Sequence, residues 1–235
     1  MFLGDPTFPF PVVLGKGVMK ADSISLDSPL TVSDRNALVV HGQRLEYFTL
    51  AWNSFEAAVA LSAGALAGSI ALVGFGLDSV IETASAGILL WRFRADADPK
   101  RREHAERTAH RLVGVCFLLL AAYVAAGAFR ALWIKAQPEG SLPGILIAAA
   151  AVIVMPLLGR AKRRVAARLS SRALRADSRQ ADFCAYLSAI LLAGLLLHTL
   201  LGWWWADSVA ALVMVPIIAR EGVQGLRGES CDHCA

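Results

Sequence analysis

Asp78 and Glu82 stand four residues apart in the run Leu77-Asp78-Ser79-Val80-Ile81-Glu82-Thr83-Ala84-Ser85. At helical spacing the two carboxylates share one face, about one turn apart. Their surroundings are apolar enough for a bilayer, where an ionisable side chain costs roughly 2.5 kcal/mol or more and ordinarily faces a bundle interior. Two carboxylates in so low a dielectric repel unless one is protonated or a cation lies between them. The pair therefore suits a divalent metal, a proton relay, or both. The competing reading, a pair buried against an arginine, finds no arginine within the predicted spans at matching depth.

A second set of groups follows the same logic. Gln180, Cys184 and Ser188 recur every four residues and share one helix face, with Asp177 on nearly the same face one turn away and Asp182 pointing elsewhere. A cysteine thiolate is a soft metal ligand and an amide oxygen a hard, weak one. Read alone, Cys184 is as readily a small core hydrophobe, and Gln180 can simply hydrogen-bond to a neighbouring helix. Glu56, beside Trp52 and Asn53, is expected to support the metal groups or to carry a proton. Asp207 is read either as the N-cap of its own helix or as an accessory proton-coupling group, and Asp177 as an accessory or proton-coupling group. Cys116 and His198 are single residues on apolar helices and are assigned to packing. The tail Cys231-Asp232-His233-Cys234 offers two or three soft ligands for metal capture, whereas a closed structural zinc site needs four; chance pairing is the alternative.

What must position these groups is membrane helix. The 235 residues are 56% hydrophobic and only 18% charged, with a mean hydropathy of +0.53, against about 45–50% and about 25% in soluble domains. Intrinsic disorder is excluded, and four cysteines make no disulfide scaffold. A membrane-crossing helix takes about 20 mostly apolar residues, and six stretches qualify or nearly so, at 46–66, 69–92, 112–134, 143–159, 180–201 and 203–219. The expected fold is all-α: a polytopic membrane protein of six transmembrane helices. There is no Ser/His pair at helical spacing, no HExxH and no glycine-rich phosphate loop, so no enzyme activity is expected.

Charge sets the expected orientation. Of the 23 basic residues, all but Arg130 and Lys135 fall in the N-terminal segment, the connections after the second and fourth spans, or the C-terminal tail. Under the positive-inside rule those regions and both termini are cytoplasmic, and an even number of spans agrees. The basic runs are read as topology and contact with anionic headgroups, not as a nucleic-acid surface. Residues 1–44 are expected to form a poorly ordered cytoplasmic tail; Met19 is a second candidate start. Residues 45–220 make the membrane domain and 221–235 a short tail. Trp203, Trp204 and Trp205 suit an interfacial aromatic belt, and Gly64 and Gly68 a close helix approach at a tight turn.

The chain resembles the cation diffusion facilitator family over about residues 45–225. The resemblance rests on the Asp78–Glu82 segment, on Ala176-Asp177-Ser178-Arg179-Gln180 with the following Ala181-Asp182-Phe183-Cys184, and on Ala206-Asp207 before an apolar run. It implies six helices with cytoplasmic termini, and a divalent metal held between an i, i+4 pair in helix two and a second such pair in helix five. Three departures stand out: Glu82 where the family usually has Asp, Gln180 and Cys184 where it usually has His and Asp, and too few residues after Ala219 for the usual cytoplasmic domain. The resemblance implies a metal-cation efflux transporter working by proton antiport, with Asp78, Glu82, Cys184 and Gln180 around the metal. Zinc is the expected cargo, with cadmium or cobalt as alternatives, and no resident cofactor. A homodimer would be held through the membrane helices, in a plasma or inner membrane. The alternative is a non-transporting membrane protein that binds or senses metal with the same bundle.

Overall fold

The computed structural model describes residues 32–94, 99–169 and 171–227. They form six helices: α1 (Val32–Ala67), α2 (Ile70–Arg94), α3 (Pro99–Trp133), α4 (Leu142–Leu169), α5 (Arg172–Leu201) and α6 (Ala206–Arg227). Among the described residues there is no strand, and α2 to α6 are each long and apolar enough to cross a membrane. α1 falls short of that apolarity because it carries Glu46, Asn53 and Glu56, all three buried. Its polar groups lie inside the bundle rather than against lipid. Conversely, Leu112, Leu119, Phe129, Leu146, Ile153 and Leu157 are exposed, which is the distribution that a lipid-facing surface requires.

The turns explain how the chain reverses. Gly68 has φ +67°, a left-handed conformation that glycine adopts without a Cβ penalty, and the Ser69 amide donates to the Gly64 carbonyl at 3.0 Å. Gly202, also at φ +67°, closes α5 by donating to the His198 carbonyl. Between α3 and α4, the Glu139 amide donates to the Ala67 carbonyl at 2.8 Å. All three short turns thus gather at one end of the bundle, and the start of α1 and the end of α6 lie at the other. Trp203 and Trp205 stack at the turn end with ring centroids 4.9 Å apart.

Two sequence expectations are revised by the fold. The basic run 160–168 does not connect spans: α4 continues through it to Leu169, and after Ser171 the next helix begins at once. Leaving the apolar layer removes no backbone hydrogen bond, and Arg, Lys and Ala are good helix formers. Ser171 then caps α5 by accepting from the Leu174 amide. Likewise α1 begins at Val32, so its first turns lie within the segment assigned to the N-terminal tail.

Small residues let the helices approach. A Cβ on Gly64 would lie 2.9 Å from Val73, so this residue makes the close contact of α1 with α2, while Gly68 faces open space and serves the turn alone. Where α3 crosses α6, backbone meets backbone: a Cβ on Gly114 would stand 2.8 Å from the Gly222 carbonyl oxygen. Such contact of backbone on backbone is the usual basis of helix association in lipid.

Candidate metal centre

α2 delivers Asp78 and Glu82 from one face into the middle of the bundle, and α5 brings Cys184 to meet them. One ligand atom from each lies within 4.8 Å of the other two, and all three residues are buried. These are three groups from two helices, with donor atoms close enough to share one ion.

The hydrogen bonding of this cluster is one-sided. Both carboxylate oxygens of Asp78, Oε1 of Glu82 and Oδ1 of Asn53 are buried acceptors without a donor. Buried acceptors ordinarily find partners, and a cation satisfies several at once. Glu82 Oε2 is engaged, since Asn53 Nδ2 donates to it at 2.8 Å. The donor set therefore fits a metal ion: two carboxylates and a thiol, with acceptor lone pairs left over.

Glu56 is held quite differently. It accepts from Trp52 Nε1 at 2.8 Å, from Ser79 Oγ at 2.6 Å and from the Cys184 thiol at 3.7 Å. It stands behind Cys184, bonded to it, rather than among the groups that share the open acceptors. Ser188 Oγ donates to the Cys184 carbonyl and adds to the bracing of α5.

The remaining sequence candidates separate by place. Gln180 lines a small cavity of about 10 Å³ together with Asn53, Glu82, Lys162 and Asp177, and its Nε2 is a buried donor without an acceptor. That volume admits about one water. Asp177 is ion-paired with Lys162, which also reaches Glu46 Oε2 at 3.3 Å. Lys162 and Glu46 are almost wholly buried. Asp182, pointing elsewhere as its spacing requires, pairs with Arg163. Cys116 is exposed on the bundle surface, not packed inside it. His198 meets the Trp203 carbonyl through Nδ1. Cys231, His233 and Cys234 lie outside the described residues.

Asp207 requires a correction. It does not cap its own helix: its carboxylate accepts from Ser69 Oγ at 2.5 Å and from the Ile70 amide at 3.0 Å. It therefore caps α2, where a negative charge meets the free amides and the positive end of the helix dipole. Ile70 is eight residues before Asp78, about 12 Å along the axis, so Asp207 stands apart from the cluster.

Sequence reasoning missed Glu46, Asn53 and Lys162 as members of the buried polar system. For α1 a signal existed: Glu46, Thr49, Asn53 and Glu56 recur at helical spacing, and all are buried. For Lys162 there was none, because the apolar stretch ends before it. A larger cavity of about 510 Å³ opens at the turn end beside Gly64, Tyr123 and Arg130, and no acidic side chain or cysteine lines it.

Residues 47–228 match the cation efflux transmembrane domain. The chain is 29% identical over 158 residues to the uncharacterized transporter sll1263 of Synechocystis sp., covering 65% of this chain and 51% of that protein. It is 27% identical over 179 residues to transmembrane protein 163 of Xenopus laevis, covering 74% of this chain and 63% of that one. The chain thus spans less than two thirds of the length of either relative.

Proposed function

This chain belongs to the cation efflux family, and on that premise we propose that it moves a divalent metal cation across the bilayer in exchange for protons. Asp78, Glu82 and Cys184 hold the cargo. The observation that carries this reading is the set of orphaned acceptors at Asp78 and Glu82 beside a buried thiol. Two carboxylates and a thiolate favour zinc, or a softer ion such as cadmium, over magnesium. Cobalt remains within the range of such a set.

Protons enter the cycle through the ligands themselves. Carboxylates and thiol bind metal only when deprotonated, so metal and protons compete for the same atoms. Falling pH weakens binding, tenfold per unit for each proton that the metal displaces. Glu56, which already accepts from the Cys184 thiol, is placed to receive its proton as the thiolate forms. Metal taken up on the basic, cytoplasmic side is expelled when protons arrive from the other side. The setting is a plasma or inner membrane, and a second copy joins through the membrane helices.

The test is zinc and cadmium flux in proteoliposomes under an imposed pH gradient, with Asp78→Ala as control. Gradient-dependent flux that disappears in the variant supports the transporter. Stoichiometric binding abolished by Asp78→Ala, with no flux, replaces it by a metal-binding or sensing role for the same centre.

A further inference from the structure

Three protein ligands leave a four-coordinate soft cation one position short, and the sequence nominated Gln180 for it. We infer that the fourth protein ligand is Asn53, contributed by α1 through its side-chain Oδ1. This rests on the reading of Asp78, Glu82 and Cys184 as the metal centre.

Only one atom of the Asn53 amide is free. Its Nδ2 donates to Glu82 Oε2 at 2.8 Å. A half-turn of the amide would set Oδ1 against that carboxylate oxygen, acceptor against acceptor, so the hydrogen bond fixes the orientation. Oδ1 is then the atom left over. Asn53 is fully buried and this oxygen has no donor. Leaving a buried acceptor unpaired is costly, and a cation relieves that cost.

The open atoms of the Asp78 and Glu82 carboxylates are of the same kind. The unpartnered atoms of the adjoining carboxylates, Asp78 Oδ1 and Oδ2 and Glu82 Oε1, are also acceptors. None of these atoms accepts a hydrogen bond. Gln180 is not held in this way: its buried Nε2 has no acceptor, so no hydrogen bond from it fixes which end of the amide faces the cavity. It shares with Asn53 the small cavity that leads to Lys162 and Asp177, and is better suited to hydrogen-bond there.

A ligand on α1 has a mechanical consequence. The metal then ties three helices, α1, α2 and α5, instead of two, so its arrival and departure register in the position of the longest helix in the bundle. Asn53 also has a double duty, since one amide both orients Glu82 and adds an oxygen.

The two duties are separable by substitution. Asn53→Ala removes both the oxygen and the donor, whereas Asn53→Asp keeps an oxygen ligand and loses the donor. The full chain in detergent is titrated with cadmium, followed by affinity and by cadmium NMR, whose resonance reports each bound atom. Gel filtration and thermal melting of the metal-free proteins check folding, with Asn53→Ser standing in if Asn53→Ala fails to fold. Asn53→Ala is expected to weaken cadmium binding by about tenfold or more, as loss of metal-orienting groups does, and to move the resonance. Asn53→Asp should keep the affinity within a few-fold, and Gln180→Ala should leave both readouts unchanged. Equal weakening by Asn53→Ala and Asn53→Asp means the amide acts only by holding Glu82 and overturns the assignment. So does an unaltered Asn53→Ala. Wild-type protein that binds no cadmium, or binds it equally well as Asp78→Ala, overturns the metal-centre reading itself.

Discussion

Lys162 Nζ on α4 lies 3.3 Å from Glu46 Oε2 on α1, with both side chains almost wholly removed from solvent. The same ammonium donates to Asp177 on α5, so one cation joins three helices and sits between two carboxylates. It shares a cavity wall with Glu82, which puts a fixed positive charge close to the candidate metal centre. Its role is structural by its contacts: it bridges Glu46 and Asp177.

The first prediction concerns that triad. Breaking a buried pair by removing one partner leaves an uncompensated charge and costs about 3–5 kcal/mol. Lys162→Met should therefore lower the melting temperature markedly. Adding Glu46→Gln to Lys162→Met removes one of the two stranded carboxylates and should restore part of the loss. With Glu46→Gln measured alone, a double-variant loss equal to the sum of the two single losses would show that Glu46 and Lys162 are not energetically coupled.

Cys184 gives the second. Its thiol is the soft member of the donor set, and cadmium depends on a soft ligand more than zinc does. Cys184→Ser should weaken cadmium binding by about tenfold or more and zinc binding less. Equal loss of both ions would count against thiolate ligation and would confine Cys184 to packing behind Glu56. Competition titrations of the two ions against the same indicator decide the matter.

Asp207 gives the third, and it separates stability from chemistry. Asp207→Ala strips the carboxylate from the start of α2 and leaves the Ile70 amide and the Ser69 hydroxyl without it. Loss of a capping side chain costs about 0.5–2 kcal/mol. Melting should fall accordingly, while cadmium affinity at Asp78 and Glu82 stays at the wild-type value. A large change in affinity with little change in melting would return Asp207 to the accessory proton-coupling role, the sequence alternative to a cap.

Much of the centre was legible because helical periodicity is local information. The four-residue spacing of Asp78 and Glu82, and of Gln180 and Cys184, states which side chains share a face before any packing is known. The number of helices followed equally from the apolar stretches, since a bilayer demands length and apolarity of each crossing segment. The belonging of Cys184 with the acidic pair was also readable, once helices two and five were taken as neighbours.

What lay beyond the sequence depended on where helices end and which faces meet. An apolar stretch marks the bilayer, not the helix, so α4 carries Lys162 past the end of its apolar stretch and into contact with Glu46. Asp207 and Ser69 are 138 positions apart, and only the folding of α6 beside the turn before α2 makes one the cap for the other's helix. The orientation of the Asn53 amide is set by Glu82 on another helix, and this decides which of its atoms is left free. Sequence alone thus determined the helices, the bilayer as their solvent and the face on which the carboxylates lie. Tertiary packing decided which buried charges are compensated and which acceptors stay open, because that depends on partners distant along the chain.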